Sequence, residues 1–290
     1  MRSRGETSRF DTIRAPREGD HRYVRTADES APYGRGRNRA PSVVFIHGFS
    51  CSSIDWINQL DALSTDHRCI AIDLPGHGQS PIIAEPTIAS CAAAIVDELD
   101  RLGAGDVVLA GHSLGSRVMG EVYRQSPESV RGIAYVEGSI LEADPTTAAR
   151  DFAARMGAAG FETILDGLYD DFFVETSPRD VSSMIRQRRG AVDPDFHPRL
   201  LVDMVDWDAK RGRDVLCSID VPCLVLQSTT VGPKMERRAI TEGDDSALMR
   251  LAREQVPDVR IETVEGVGHF PMLEAAERTN EILRRFLSSL

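Results

Sequence analysis

Val107-Val108-Leu109-Ala110-Gly111-His112-Ser113-Leu114-Gly115 is the stretch that decides the architecture. Four apolar residues read as a buried strand, two glycines bracket a serine in the pattern G-x-S-x-G, and residues 116–125 can continue as a helix. A serine squeezed between a strand and a helix must turn sharply. The flanking glycines let neighbouring backbones approach where a Cβ would clash. The hydroxyl is thereby held out at the top of a sheet. Because the next residues start a helix, their free N–H groups and the positive end of the helix dipole point at any oxyanion formed there. Ser113 is therefore the candidate nucleophile.

Outward from this elbow, short apolar runs alternate with amphipathic stretches. Residues 43–46, 69–72, 107–110, 133–136, 223–226 and 260–264 are candidate strands, and the helical segments between them predict an α/β fold: a mostly parallel β-sheet flanked by helices. The alternation breaks over residues 141–215, where only helices are expected, at 148–156, 162–173, 179–187 and 199–209, with Gly160, Pro178, Gly190, Pro194 and Pro198 as punctuation. This segment reads as an inserted helical cap. Residues 41–140 and 216–290 then form the core, and the cap lies over the carboxyl edge of the sheet, where α/β folds bind ligands.

Residues 1–40 are rich in arginine, glycine and proline and read as a flexible N-terminal arm with at most a short hairpin near residues 21–27. Its arginines are interleaved with Glu6, Asp11, Glu18, Asp20, Asp28 and Glu29, which argues against a nucleic-acid-binding tail. The whole chain, 290 residues with a net charge of -11, points the same way and away from anionic membrane surfaces. Five scattered cysteines show no metal-ligand spacing, and no run approaches a membrane span. No signal-peptide h-region follows the first arginines, so a reducing cytoplasm is the expected setting. Neither a metal nor an organic cofactor is expected, and association into a homodimer is open.

A serine hydroxyl needs a base within reach, itself oriented by a third group. Of seven histidines, His269 is the best placed: it stands in Gly266-Val267-Gly268-His269-Phe270-Pro271, after the last candidate strand and before a C-terminal helix over residues 272–287. His112 is inside the elbow and points away from the nucleophile. Four motifs now stand in order: His47-Gly48-Phe49, Asp73-Leu74-Pro75-Gly76-His77-Gly78-Gln79-Ser80, the elbow, and the segment around His269. Together they resemble the α/β-hydrolase superfamily over residues 42–290. The resemblance implies an oxyanion hole made by the backbone N–H groups of Phe49 and Leu114. It gives Asp73 and Ser80 the task of tying down their loop.

The acid departs from the commonest family pattern. Relatives resembling L-V-x-x-G-x-x-D after the penultimate strand have an aspartate where this chain has Val231. Some branches place the acid after the strand that follows the nucleophile helix, and here that strand ends in Glu137, 24 positions beyond Ser113. Glu137 is the expected acid, with Asp244 and Asp245 as alternatives on a loop that could curl back. For the substrate pocket the candidates are Cys51, Phe172, Phe173, Trp207 and Phe270, an apolar set suited to a small, largely apolar ester or lactone. The expectation is a serine hydrolase working through an acyl-serine intermediate. Two rivals share the site: a C–C bond hydrolase, and a slow-turnover binding protein of the receptor kind.

Overall fold

The computed structural model describes residues 24–26, 40–141, 143–231 and 237–290. Its main sheet is built from β2 (Ser42–Ile46), β3 (Cys69–Ile72), β4 (Val107–His112), β5 (Val130–Val136), β6 (Cys223–Gln227) and β9 (Val259–Thr263). These six run parallel in the order β3-β2-β4-β5-β6-β9, and β1 (Val24–Thr26) adds antiparallel to the outer edge of β3. The elbow strand β4 is buried along its length. Its apolar composition suits a central strand covered on both faces. All six parallel strands end on one side, so the residues following β2, β4, β5, β6 and β9 meet at one edge. The register sets Ile46 beside Gly111, His112 beside Val136, and Val136 beside Leu226.

Helices α1 (Ile57–Leu63), α10 (Pro271–Glu274) and α11 (Ala276–Leu287) pack together on one face of the sheet; α2 (Ile88–Arg101), α3 (Leu114–Gln125), α8 (Arg213–Cys217) and α9 (Ala247–Gln255) form a second packed group. The expected C-terminal helix over 272–287 is divided. Ala275, with φ -138° and ψ 53°, leaves helical space and separates α10 from α11, with no proline or glycine to announce the break. β9 runs one residue earlier than expected.

Between β5 and β6 the chain is helical, as expected: α4 (Ala148–Ala159), α5 (Phe161–Asp171), α6 (Arg179–Gln187) and α7 (Phe196–Trp207). α7 begins three residues before the expected start, because Pro198 falls in its first turn, where a missing N–H costs no helical bond. Two buried ion pairs fasten this insertion to the core. Arg188 Nη1 donates to Asp55 Oδ2 at 2.6 Å, and Arg117 Nη2 to Asp208 Oδ2 at 2.7 Å. A small hairpin of β7 (Thr229–Val231) and β8 (Arg237–Ala239) follows β6. The arm assigned to residues 1–40 falls outside the described residues except for Ala40 and β1, which pairs with distant β3. Among the described residues, no helix is long and apolar enough to cross a membrane.

Candidate active site

Ser113 stands between β4 and α3 with φ 52° and ψ -117°, backbone that a non-glycine residue adopts only under constraint. The glycines around it supply that constraint. A Cβ on Gly111 would lie 2.7 Å from Gly115 O, and one on Gly115 would lie 2.4 Å from both Ile46 O and His47 O. Helix α3 therefore sits directly on the end of β2. A Cβ on Gly48 would approach Ser113 Cβ to 3.1 Å, so the turn bearing Phe49 lies flush against the elbow. Leu114 opens α3, and its N–H is not consumed by the helix ladder. His47 holds this turn: its Nε2 accepts from Leu74 N at 2.9 Å and its Nδ1 lies 2.8 Å from Gly48 O, the pattern of a neutral ring with the proton on Nδ1.

Glu137 and His269 meet at the same edge. His269 Nδ1 lies 3.0 Å from Glu137 Oε2, both side chains almost wholly buried. Glu137, like Ser113, has positive φ, 50°. Its Oε1 accepts from the backbone N–H groups of Ser228 and Thr229, the latter at 2.7 Å, and its Oε2 accepts from the Thr229 hydroxyl. Burial pushes this carboxyl up, but the hydrogen bond and charge of His269, the Arg237 cation and the Thr229 hydroxyl outweigh it, and the net displacement is downward to about 2. For His269, burial and then Arg237 lower the imidazole to about 4 against the pull of Glu137. Near neutrality the pair is a neutral imidazole beside a carboxylate, the state a general base requires.

The loop carrying His269 is tied at several points. His112 Nε2 donates to His269 O at 2.8 Å, and Glu274 accepts from Gly268 N and Phe270 N at 2.8 and 3.0 Å. From the insertion, Phe172 O accepts from His269 N at 2.9 Å, while the Phe172 ring stacks on the imidazole at 5.2 Å and 17°. Asp244 and Asp245 pair instead with Arg238 and Arg253. No group of three His, Cys, Asp or Glu side chains among the described residues is arranged to hold a metal ion.

Residues 43–282 match the family model described as the alpha/beta hydrolase family. The chain is an α/β hydrolase. This α/β hydrolase is 26% identical to a pimeloyl-[acyl-carrier protein] methyl ester esterase of Methylococcus capsulatus over 87% of its own length and 96% of the relative's. It also aligns at 36% identity over 105 residues with a dihydrolipoyllysine-residue acetyltransferase component of an acetoin cleaving system from Cupriavidus necator. That match takes in 36% of this chain and 28% of that protein's length. Among solved structures, a thermophilic esterase from Thermogutta terrifontis superposes with a TM-score of 0.69 at 22% identity, covering 92% of this chain and 93% of that one. An enol-lactonase from Burkholderia xenovorans gives 0.67 at 19%, covering 92% and 96%.

The aromatic candidates separate by position. Phe172, Phe173 and Phe270 form one cluster against His269 and His112, with Phe173 stacked on Phe270 at 5.7 Å. Phe49 meets the rings of His77 and His197 edge-on. Cys51 is buried beside Asp55 and Arg188, and burial pushes its thiol well up, leaving a small inert hydrophobe. The structure does not bring Trp207 into this group. Its indole donates to Glu121 at 3.1 Å and packs over Gly120, two turns down α3 from Ser113, about 10.5 Å along the helix axis. Two neighbours leave no signal in the sequence, Arg237 and Thr229, and a third, Tyr169 of the insertion, places its hydroxyl against Ser50 beside the Phe49 turn. Ser50 is the third non-glycine residue with positive φ among the described residues, so all three such positions surround the site.

Proposed function

We propose that the protein is a serine hydrolase that cleaves a carboxylic ester or lactone of a small, largely apolar substrate, with residues 141–215 as its cap. The observation that supports this most directly is the buried Glu137–His269 contact of 3.0 Å at the sheet edge that also bears Ser113 on its strained elbow. A neutral imidazole whose Nδ1–H is held by a carboxylate leaves Nε2 free to accept a proton. Ser113 Oγ attacks the carbonyl carbon as His269 takes its proton. The carbonyl oxygen becomes an oxyanion facing the Phe49 and Leu114 N–H groups. Collapse breaks the C–O bond, and His269 returns the proton to the leaving alkoxide, giving an alcohol and an acyl-serine. Water then adds to the acyl carbon with His269 again as base, and Ser113 leaves protonated. In a lactone the alcohol and acid remain one molecule. The relatives named for esters and an enol-lactone agree with this reaction class, and the aromatic cluster of Phe172, Phe173 and Phe270 beside His269 suits an apolar acyl or alcohol group.

A panel of aryl esters and lactones tests the reading, with Ser113→Ala as the paired variant. Wild type should turn over repeatedly, a fluorophosphonate should label Ser113 and no other residue, and Ser113→Ala should lose roughly four to six orders of magnitude in kcat. Near-wild-type turnover by Ser113→Ala, or a single acylation with no further cycles, would overturn it, the second in favour of a binding protein.

A further inference from the structure

Arg237 lies where two polar networks meet. On β8 it faces back over β7, and its Nη1 is 2.8 Å from Thr229 Oγ1, 3.4 Å from Glu137 Oε2 and 3.2 Å from His269 Nδ1. The other side of the same residue is held by the insertion. Asp171, the last residue of α5, accepts from the Arg237 backbone N–H at 3.0 Å and from Nε at 3.1 Å. The next residue, Phe172, both stacks on His269 and accepts from its N–H. We propose that Arg237 is a positioning residue of the triad: a cation that, balanced by Asp171, sets how readily His269 takes up a proton and makes that property depend on the seating of the insertion.

The reasoning is electrostatic and geometric. Two donors cannot point at each other, so with His269 Nδ1–H directed at Glu137 the guanidinium must fan toward Oε2 and Thr229 Oγ1. It then stands as a fixed positive charge beside a ring that becomes positive whenever it accepts a proton. Glu137 favours that proton and Arg237 opposes it. Asp171 stands on the far side of the guanidinium and offsets part of its field. The remaining charged or titratable groups facing His269 are fixed by other partners: His112 donates to His269 O, Arg117 is paired with Asp208, and Glu274 accepts from the backbone on either side of His269. Arg117 is also tied to the insertion, through Asp208, but among the described residues it is the Arg237–Asp171 pair whose cation lies within 3.2 Å of the imidazole, at Nδ1, and joins it to the insertion.

Opposed charges predict opposed displacements, which a purely structural tie would not produce. Removing the cation in Arg237→Met should raise the proton affinity of His269, and removing its counter-charge in Asp171→Asn should lower it, each by about one pH unit. From about 4 in wild type, at pH 5 His269 would be protonated to roughly one tenth in wild type, one half in Arg237→Met and one hundredth in Asp171→Asn. Selective isotope labelling of histidine, with the His269 signal assigned by its absence in His269→Asn, reads these fractions by NMR in the resting protein, whose fold at pH 5 is checked by near-ultraviolet circular dichroism. Arg237→Lys keeps the charge and should restore the wild-type fraction. The proposal rests on His269 being the base, but this titration needs no substrate. A protein without ester turnover that still shows the opposed displacements would refute the hydrolase reading alone. Movement of both variants in one direction, no movement, or failure of Arg237→Lys to restore the titration would overturn the role given to Arg237. Should Arg237→Met fail to fold, the Asp171→Asn and Arg237→Lys titrations still decide.

Discussion

Glu137→Gln removes one charge and almost no volume, and the surroundings of Glu137 dictate how the amide must sit. Five donors converge on the carboxylate: the N–H groups of Ser228 and Thr229 at Oε1, and the Thr229 hydroxyl, Arg237 and His269 at Oε2. The two backbone donors cannot turn away, so the glutamine oxygen stays with them and its NH2 faces His269. An NH2 at that distance forces Nδ1 to become the acceptor. The proton moves to Nε2, the atom that should receive the Ser113 proton, and the base is held in the wrong tautomer. The expected loss is three to four orders of magnitude in kcat, about 4 to 5.5 kcal/mol of barrier. Stability should fall less, by about 1 to 3 kcal/mol for the imperfectly paired donors. Single-turnover kinetics on an activated acetate ester, beside thermal melts, separates the two effects. Asp244→Asn and Asp245→Asn are the controls, and both should stay near wild type because each carboxylate is paired to an arginine on its own surface segment. Glu137→Gln within tenfold of wild type would refute the tautomer argument. A crippled Asp244→Asn or Asp245→Asn beside an active Glu137→Gln would move the acid elsewhere.

Gly115→Ala places a methyl 2.4 Å from two backbone oxygens of β2 and the turn after it, neither of which can yield as a side-chain tip would. It should cost about 1 to 3 kcal/mol or more and displace the Phe49 turn from the elbow, so a variant with wild-type melting temperature and kcat would disprove this close approach. The buried histidines predict acid sensitivity. His47, His77, His112, His197 and His269 are all lowered, in each case chiefly by burial, His112 to about 3 and His269 to about 4. Each takes up protons near 6.5 when unfolded. Below that pH the unfolded chain binds more protons, so their contribution is whole above about 6.5 and is lost as pH falls toward the folded values. At pH 5.5 His112 alone accounts for about 1.4 kcal/mol of lost stability. Urea midpoints at pH 7.5 and 5.5 measure the sum, and equal midpoints would contradict it.

What could be read from the sequence was whatever leaves a local mark. The elbow did, because its two glycines flank the serine directly, although only Gly111 is demanded by a neighbour close in the chain, Gly115 O, while Gly115 is demanded by the end of β2. The place of Glu137 at the sheet edge was legible by position, since β5, which follows α3 and pairs parallel with β4, must end beside the elbow. The β7–β8 hairpin left no such mark. Its strands are three residues each, too short for alternation to register, and Arg237 reaches Glu137 across 100 positions of chain. The positive φ of Ser50 and Glu137 is likewise imposed from outside, against what either residue type prefers. Aromatic mass in the insertion was legible, but not its destination: Phe172 lies on the imidazole and Trp207 on α3, although both read as bulky apolar residues on helices.

The departure at Val231 and the arrangement around Arg237 are two sides of one rearrangement. With the carboxylate supplied from the end of β5, the segment after β6 need not deliver an acid to the histidine, and its first residues instead present two backbone N–H groups and a hydroxyl to Glu137. The same segment folds back as β8 and brings a cation to the Oε2 of that carboxylate, beside His269. That cation is also held by Asp171, one residue before the Phe172 carbonyl that fixes the histidine backbone and the Phe172 ring that covers the imidazole. Any displacement that carries residues 171–172 off the core therefore removes three supports of one base together: a backbone hydrogen bond, a stacked ring and the counter-charge of Arg237. On the role proposed for Arg237, the insertion helps to set both the basicity and the alignment of His269, so substitutions at Asp171 or Phe172 should alter the chemical step itself, even on an acetate ester too small to touch the cap.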